Sequence, residues 1–214
     1  MDKQEISEKR KTDKIGLQMF VDHLKDNDFE DSVANEFSRL KDQLNKETNE
    51  FIDKLEKEGN SDFYLDTQYF DDKLLAIVEM KIVYLYKNFE INLKKLMTAS
   101  YNVETKNFYR WDIINLFLTQ KKIILKSLDQ YKEVNQLRKV NNAIKHSSSI
   151  LSKDLKSIAE FSEIKYLRHY ELDEFYERIK FAPVKFLQSL SEKIYENLYE
   201  FDDGCTTNFR FQKK

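Results

Sequence analysis

One segment gathers the residue types that phosphate chemistry uses: "QLRKVNNAIKHSSS", residues 136–149. It holds Arg138, Asn141, Asn142, Lys145, His146 and Ser147, and His146 is one of three histidines in the chain. On a helix, Leu137, Val140 and Ile144 form one apolar stripe. Arg138, Asn142, Lys145 and His146 fall on a face away from it, because steps of four and eight stay nearly in register at about 3.6 residues per turn. Histidine takes and gives a proton near neutral pH. Arginine and lysine hold a phosphate and neutralise charge that develops on it. An asparagine amide offers a donor and an acceptor, enough to fix a neighbouring ring or a ribose hydroxyl. The inventory suits cleavage of a phosphodiester without metal. The same residues also describe an ordinary solvated helix face, with Lys145 and His146 where a helix C-terminus welcomes cations.

The elements around that segment must be helical. The chain has 214 residues but only three glycines and one proline, too few to turn the strands of a sheet. Hydrophobic residues make up 41%, with 16 Phe and 12 Tyr, so a core can form beneath a surface that is heavily ionic at 35% charged. Leu74, Val78, Ile82, Leu85, Phe89, Leu93 and Leu96 recur at steps of four or three, predicting a long helix over about residues 71–97. A helix over about residues 12–25, with Ile15, Met19 and Val21, precedes it. A second amphipathic helix carries Phe29, Val33, Phe37, Leu40, Leu44, Phe51 and Leu55. "EGNSD", residues 58–62, is the clearest loop.

Further along, residues 109–128 read as a helix carrying Trp111, Ile114, Phe117 and Leu118, followed by the short helix that contains Arg138 and His146. "KYLRHYELDE" reads as a loop or short extended piece. A final helix spans about residues 172–201, which Pro183 should kink or restart. These elements predict an all-α fold: a single helical bundle with long antiparallel helices. Residues 1–60 would be helices packing on a core of residues 61–202, and residues 203–214 a tail.

Lys and Arg total 36 against 38 Asp and Glu, a formal net charge of -2, which argues against a generally basic nucleic-acid coat but leaves room for a local phosphate patch. The single cysteine, Cys205, makes no intrachain disulfide, in keeping with a reducing compartment. No apolar core region of a secretory signal and no membrane-length apolar run is visible, so a cytoplasmic location is expected.

"LRKVNNAIKHSS" resembles the signature segment of HEPN-domain proteins, an all-α superfamily widespread in prokaryotic toxin–antitoxin and defence systems. The pattern there is an Arg, often followed by a polar residue, then a His after four to six intervening residues. The variant nearest to this sequence ends in Asn-Ala-Ile-Lys-His, matched here by Asn142, Ala143, Ile144, Lys145 and His146. Arg138 lies eight residues before His146, one beyond the usual spacing, while Lys139 falls within range and Asn141 directly precedes Asn142. The resemblance implies a HEPN-like homodimer in which both Arg–His sets face one composite cleft. RNA would be cut there without metal or other cofactor, the ribose 2′-hydroxyl acting as nucleophile. On that reading His146 is the general acid or base, Arg138 the phosphate and transition-state clamp, and Asn142 the orienting residue. Lys145, Asn141 and Ser147 would contact substrate. RNA, a second copy of the chain, and an antitoxin or other protein are the partners it implies. The alternative is a non-catalytic helical module that holds a protein or nucleic-acid partner on the same face.

Other candidates are weaker. His23 reads as a surface helix residue and His169 as a loop or interface residue, neither having a second histidine at zinc-site spacing. Asp66, Asp71 and Asp72 fit a helix start, where carboxylates favour the dipole. Glu79 and Glu90 should face solvent or pair with lysines one turn away. Cys205 has no partner base in sequence.

Overall fold

The computed structural model describes residues 15–20, 22–23, 28–58, 63–101, 103–104, 106, 108, 110–146 and 152–200. Among them the chain is all-α, with no strand. The principal helices are α1 (Asp28–Glu58), α2 (Phe63–Tyr101), α3 (Trp111–Gln120), α4 (Tyr131–Lys145), the single turn α5 (Lys153–Lys156), α6 (His169–Ile179) and α7 (Ala182–Glu200). Short 3₁₀ turns at Leu125–Ser127 and Ala159–Phe161 punctuate the connections.

At 39 residues, α2 is the spine, about 58 Å long at 1.5 Å per residue. All seven residues of the stripe expected from sequence are buried along it, from Leu74 to Leu96. The helix starts earlier than its apolar periodicity suggests, so Asp71 and Asp72 lie two turns inside it rather than at its start. α1 runs antiparallel to α2: Phe37 packs on Tyr84 and Phe51 on Phe70. α6 runs alongside α2 in the same direction, with Asp71 near His169 and Lys81 over the Tyr176 ring. The two long helices α1 and α2 are thus antiparallel, and the 11-residue α6 lies parallel to α2.

Two apolar clusters fill the bundle. One joins Phe89, Leu93 and Leu96 of α2 to Phe117 of α3 and to Phe186 and Leu190 of α7. The other joins Val78, Ile82 and Leu85 to Phe161 and to Leu172 and Phe175 of α6. α4 spans both, inserting Val134 into the first and Leu137 and Val140 into the second. That double anchorage fixes the rotation of α4, and hence which of its side chains meet solvent.

Three local expectations change in the structure. The first is the helix over residues 109–128, which stops at Gln120. Ile123 and Leu125 are both buried while Ile124 between them is 63% exposed, an alternation that a helix cannot produce because neighbours two apart point to opposite sides. The stop is a Schellman arrangement: Ile123 N–H donates to Leu118 O and Lys122 N–H to Thr119 O, both at 2.9 Å, with Lys122 at φ 61°. A left-handed lysine is strained where glycine is not. Lys122→Gly is therefore expected to stabilise the protein by about 0.5–1 kcal/mol, seen as a rise of a few degrees in melting temperature. A fall would show that Lys122 contributes a contact outweighing its backbone strain.

The second change concerns where the final helical stretch begins, and that stretch is two helices, as Pro183 suggests. α6 begins at His169, so that residue is helical rather than in a loop, and Arg168 just before it has extended backbone. α7 restarts at Ala182 with Pro183 as its second residue. A proline there lacks an N–H that the first turn would not use, whereas inside a continuous helix its ring would strike the carbonyl of Ile179. The third is the N-terminal helix over residues 12–25. Residues 15–20 are helical, but Leu17 is the buried residue, whereas Ile15 and Met19 are exposed.

α1 contributes Leu44 and Leu55 to the buried set, and Leu40 of its expected stripe stays exposed. A polar tie supplements this packing. Asp173 of α6 accepts from Lys41 of α1 and, at 2.9 Å, from Lys81 of α2. No described helix is long and apolar enough to cross a membrane. The loop at residues 59–62 and the tail at residues 203–214 lie outside the described residues.

Candidate functional site

α4 carries the motif residues on a 15-residue helix whose first turn follows Gln130 in a left-handed conformation, φ 60°. Its anchors Leu137 and Val140 are fully buried. Asn142, Lys145 and His146 are consequently exposed, and Arg138 is half-buried at the edge of the polar face. His146 is the C-terminal cap, its backbone N–H donating to Asn142 O at 3.1 Å. The imidazole thus stands at the C-terminal end of the helix. Ser147 lies outside the described residues.

Asn141 behaves differently from its neighbours. It is fully buried, facing the core with Leu137 rather than solvent. Its Nδ2 donates to Asn142 Oδ1 at 3.4 Å, and its own Oδ1 has no partner. Asn141 is therefore placed to steady Asn142, not to meet a substrate from solution.

Arg138 is held by groups that sequence spacing only partly reveals. Its Nε and Nη2 donate to Asn135 Oδ1 at 3.3 and 3.0 Å, and its guanidinium carbon lies 6.0 Å from the Trp111 ring centre. Side chains on a helix lean toward its N-terminus, and Arg138 follows that rule by reaching back to Asn135. Arg138 and His146 are about 12 Å apart along the helix axis at 1.5 Å per residue. One chain does not bring the two side chains together. Tyr86 of α2 completes this corner: Lys145 Nζ sits 5.9 Å over its ring. Burial pushes the Tyr86 phenol up, Glu90 adds to that rise, and Arg138 opposes it.

Charge pairing sets Arg138 apart. Arg39, Arg110, Arg168 and Arg178 each form an ion pair with a carboxylate, to Glu36, Asp112, Glu171 and Glu160. Arg138, the remaining described arginine, has a neutral amide instead. Glu90 is taken by Lys94 at 2.8 Å and Lys87 at 3.4 Å. Burial works against ionisation of Glu90, but these two lysines outweigh it and hold its carboxyl below the usual glutamate range. Lys139, the cation at the more usual motif spacing, is paired with Asp154 at 3.4 Å. A guanidinium over an aromatic ring, with no carboxylate partner among the described residues, can offer its charge to an incoming anion.

The remaining candidates have structural surroundings. His169 Nε2 is 3.5 Å from Asp71 Oδ1 and packs edge-on against Tyr170. His23 is an exposed helical residue. Glu79 is half-buried, and burial raises its carboxyl. Cys205 lies outside the described residues. Among those described, no three His, Cys, Asp or Glu side chains are grouped to hold a metal ion.

Asn135 and Trp111 are the site residues that motif reasoning missed. Asn135 was within reach of a spacing argument, being three residues before Arg138 on the same helix. Trp111 and Tyr86 come from α3 and α2 and had no sequence signal beyond their place in apolar periodicity. Comparison with family models, with curated proteins and with solved structures yields no match for this chain.

Proposed function

We propose that the chain is a HEPN-like metal-independent endoribonuclease that works as a homodimer, in the manner of a toxin or defence nuclease. The observation that carries this reading is the guanidinium of Arg138, which no carboxylate meets among the described residues, on the same helix that presents His146 to solvent. In the proposed reaction Arg138 clamps the scissile phosphate and His146 moves the proton between the ribose 2′-hydroxyl and the leaving oxygen. Asn142, exposed and steadied by Asn141, orients the ribose. Arg138 leans away from the His146 of its own chain, so the phosphate it holds is served by the His146 of a second copy. Two-fold pairing across α4 brings the Arg138 of each copy to the His146 of the other, which makes two equivalent sites per dimer.

Mixing single variants tests both claims. Arg138→Ala and His146→Ala should each be inactive on labelled RNA, and in cells His146→Ala should relieve any growth arrest and RNA loss caused by the wild type. An equimolar mixture that exchanges subunits should regain about a quarter of wild-type cleavage, since half the dimers are mixed and each has one intact site. A chain that light scattering shows to be monomeric, or two variants that both cleave at wild-type rate, would end this reading. A second reading is favoured by the engagement of Arg138 with Asn135 and Trp111, which suits holding an anion without chemistry. It is a helical module that binds RNA or an acidic protein on the α4 face. RNA binding without cleavage by the wild-type protein would decide for it.

A further inference from the structure

The surroundings of Arg138 explain how an arginine can stay without a carboxylate partner among the described residues. Asn135 sits three residues before Arg138, the position from which an aspartate or glutamate would close an ion pair along one helix turn. Glu36 with Arg39 and Arg168 with Glu171 show that spacing in use elsewhere in the chain. At Asn135 the acceptor is an amide oxygen of the same shape but without charge. It receives both Nε and Nη2 of Arg138, so the guanidinium is fixed along one edge. The Trp111 ring, packed on Phe89 and Phe186, lies beside it. A guanidinium has five N–H donors, and the Nη1 group together with one hydrogen of Nη2 remains for two parallel bonds to a phosphate.

We infer that Asn135 and Trp111 are positioning residues that hold the Arg138 guanidinium in place while leaving it uncommitted, as a receptor for one phosphate group of a single-stranded RNA. The inference rests on the reading of Arg138 as a phosphate clamp. Trp111 belongs to a rigid aromatic group anchored in the first apolar cluster, so the receptor is built by α3 and α4 together and is preorganised before RNA arrives. Asn135 sets its charge state. A carboxylate there would hold the same hydrogen bonds more tightly and cancel the attraction for phosphate.

The experiment substitutes Asn135 by Asp, a change that keeps size and the Oδ1 acceptor and exchanges the amide NH2 for a charged carboxylate oxygen. Binding of a fluorescently labelled, mixed-sequence single-stranded RNA is measured across a salt series in the full-length protein. Asn135→Asp should bind about tenfold or more weakly, as expected on losing a charge-assisted contact, with a thermal melt no lower than wild type. The slope of log K against log salt should fall in magnitude by about 0.7, the loss of one phosphate contact on a single strand. Asn135→Ala, which loosens the guanidinium but leaves it charged, should keep the wild-type slope and lose affinity by only about two- to threefold. Arg138→Ala should match Asn135→Asp in affinity and slope. If Arg138→Ala weakens binding but Asn135→Asp behaves as wild type, Asn135 is a structural neighbour and this inference fails while the clamp stands. If Arg138→Ala changes neither affinity nor slope, the clamp reading fails and this inference with it.

Discussion

Asp173→Asn is expected to lower the unfolding free energy by about 3–5 kcal/mol, the cost of leaving a buried charge without its counter-ion. Lys81 is 4% exposed, its ammonium 2.9 Å from Asp173 Oδ1 and 4.2 Å over the Tyr176 ring. An asparagine accepts one hydrogen bond there but supplies no negative charge, and Lys41 converges on the same side chain from α1. The melting temperature should fall by roughly 10 °C at about 2–4 °C per kcal/mol for a chain of this size. Lys41→Ala removes the more exposed partner and should cost only about 1 kcal/mol.

The same carboxylate makes the effect depend on pH. Burial works against ionisation of Asp173, but hydrogen bonds and charge from Lys41 and Lys81 outweigh it and hold the carboxyl below the usual aspartate range. A folded-state pKa below the unfolded one contributes stability that is complete above the unfolded value and is lost as pH falls through the folded value. The advantage of wild type over Asp173→Asn should therefore be full near neutrality and shrink below about pH 4. Melts of both proteins at neutral and acid pH measure this directly. A variant within 1 kcal/mol of wild type at neutral pH, on the scale of an exposed ion pair, would mean that water reaches Lys81 freely.

Arg138→Lys should retain RNA binding within a few-fold and lose roughly 10²-fold or more in cleavage rate. A lysine keeps one positive charge near Trp111 but has no planar fork. It cannot donate to Asn135 along one edge while offering two parallel N–H groups to a phosphate along the other. The charge that builds on the phosphate in the transition state would meet a mobile point charge. His146→Ala should cost about 10²–10⁴-fold, the usual contribution of a positioned acid or base, with little loss of affinity. Lys139→Ala is the control: its charge is already spent on Asp154, so the rate should change little. Single-turnover cleavage of one labelled RNA separates these outcomes. Wild-type rates for both Arg138→Ala and His146→Ala would reduce the face to an ordinary solvated helix surface.

The all-α class and the α2 spine were legible from composition and period. Seven apolar residues at steps of three and four can be buried together only on a helix, and with three glycines and one proline there was little to build anything else. The restart at Pro183 was legible too, because a missing N–H is a property of the residue and not of its surroundings. The polar face of α4 followed from the same local geometry: Asn142, Lys145 and His146 had to lie away from Leu137 and Val140 wherever the helix was docked.

What local period could not give was the rotation and environment of each element. Asn141 lies four residues after Leu137, a step that already puts it on the apolar side of α4, but its complete burial comes from the packing of that helix across two apolar clusters. The end of α3 was hidden because Ile123, Ile124 and Leu125 suit a helix as well as an extended turn. Their burial alternates only because the chain must reach the start of α4 over the first cluster. The charge of Arg138 is the plainest case. A sequence shows that an arginine is present, but whether a carboxylate reaches it depends on helices far apart in the chain. Here Lys87 and Lys94 claim Glu90, Asp154 goes to Lys139, and Trp111 comes in from α3. The residue types that could bind a phosphate are local information; which of them is left with its charge unspent is a property of the assembled fold.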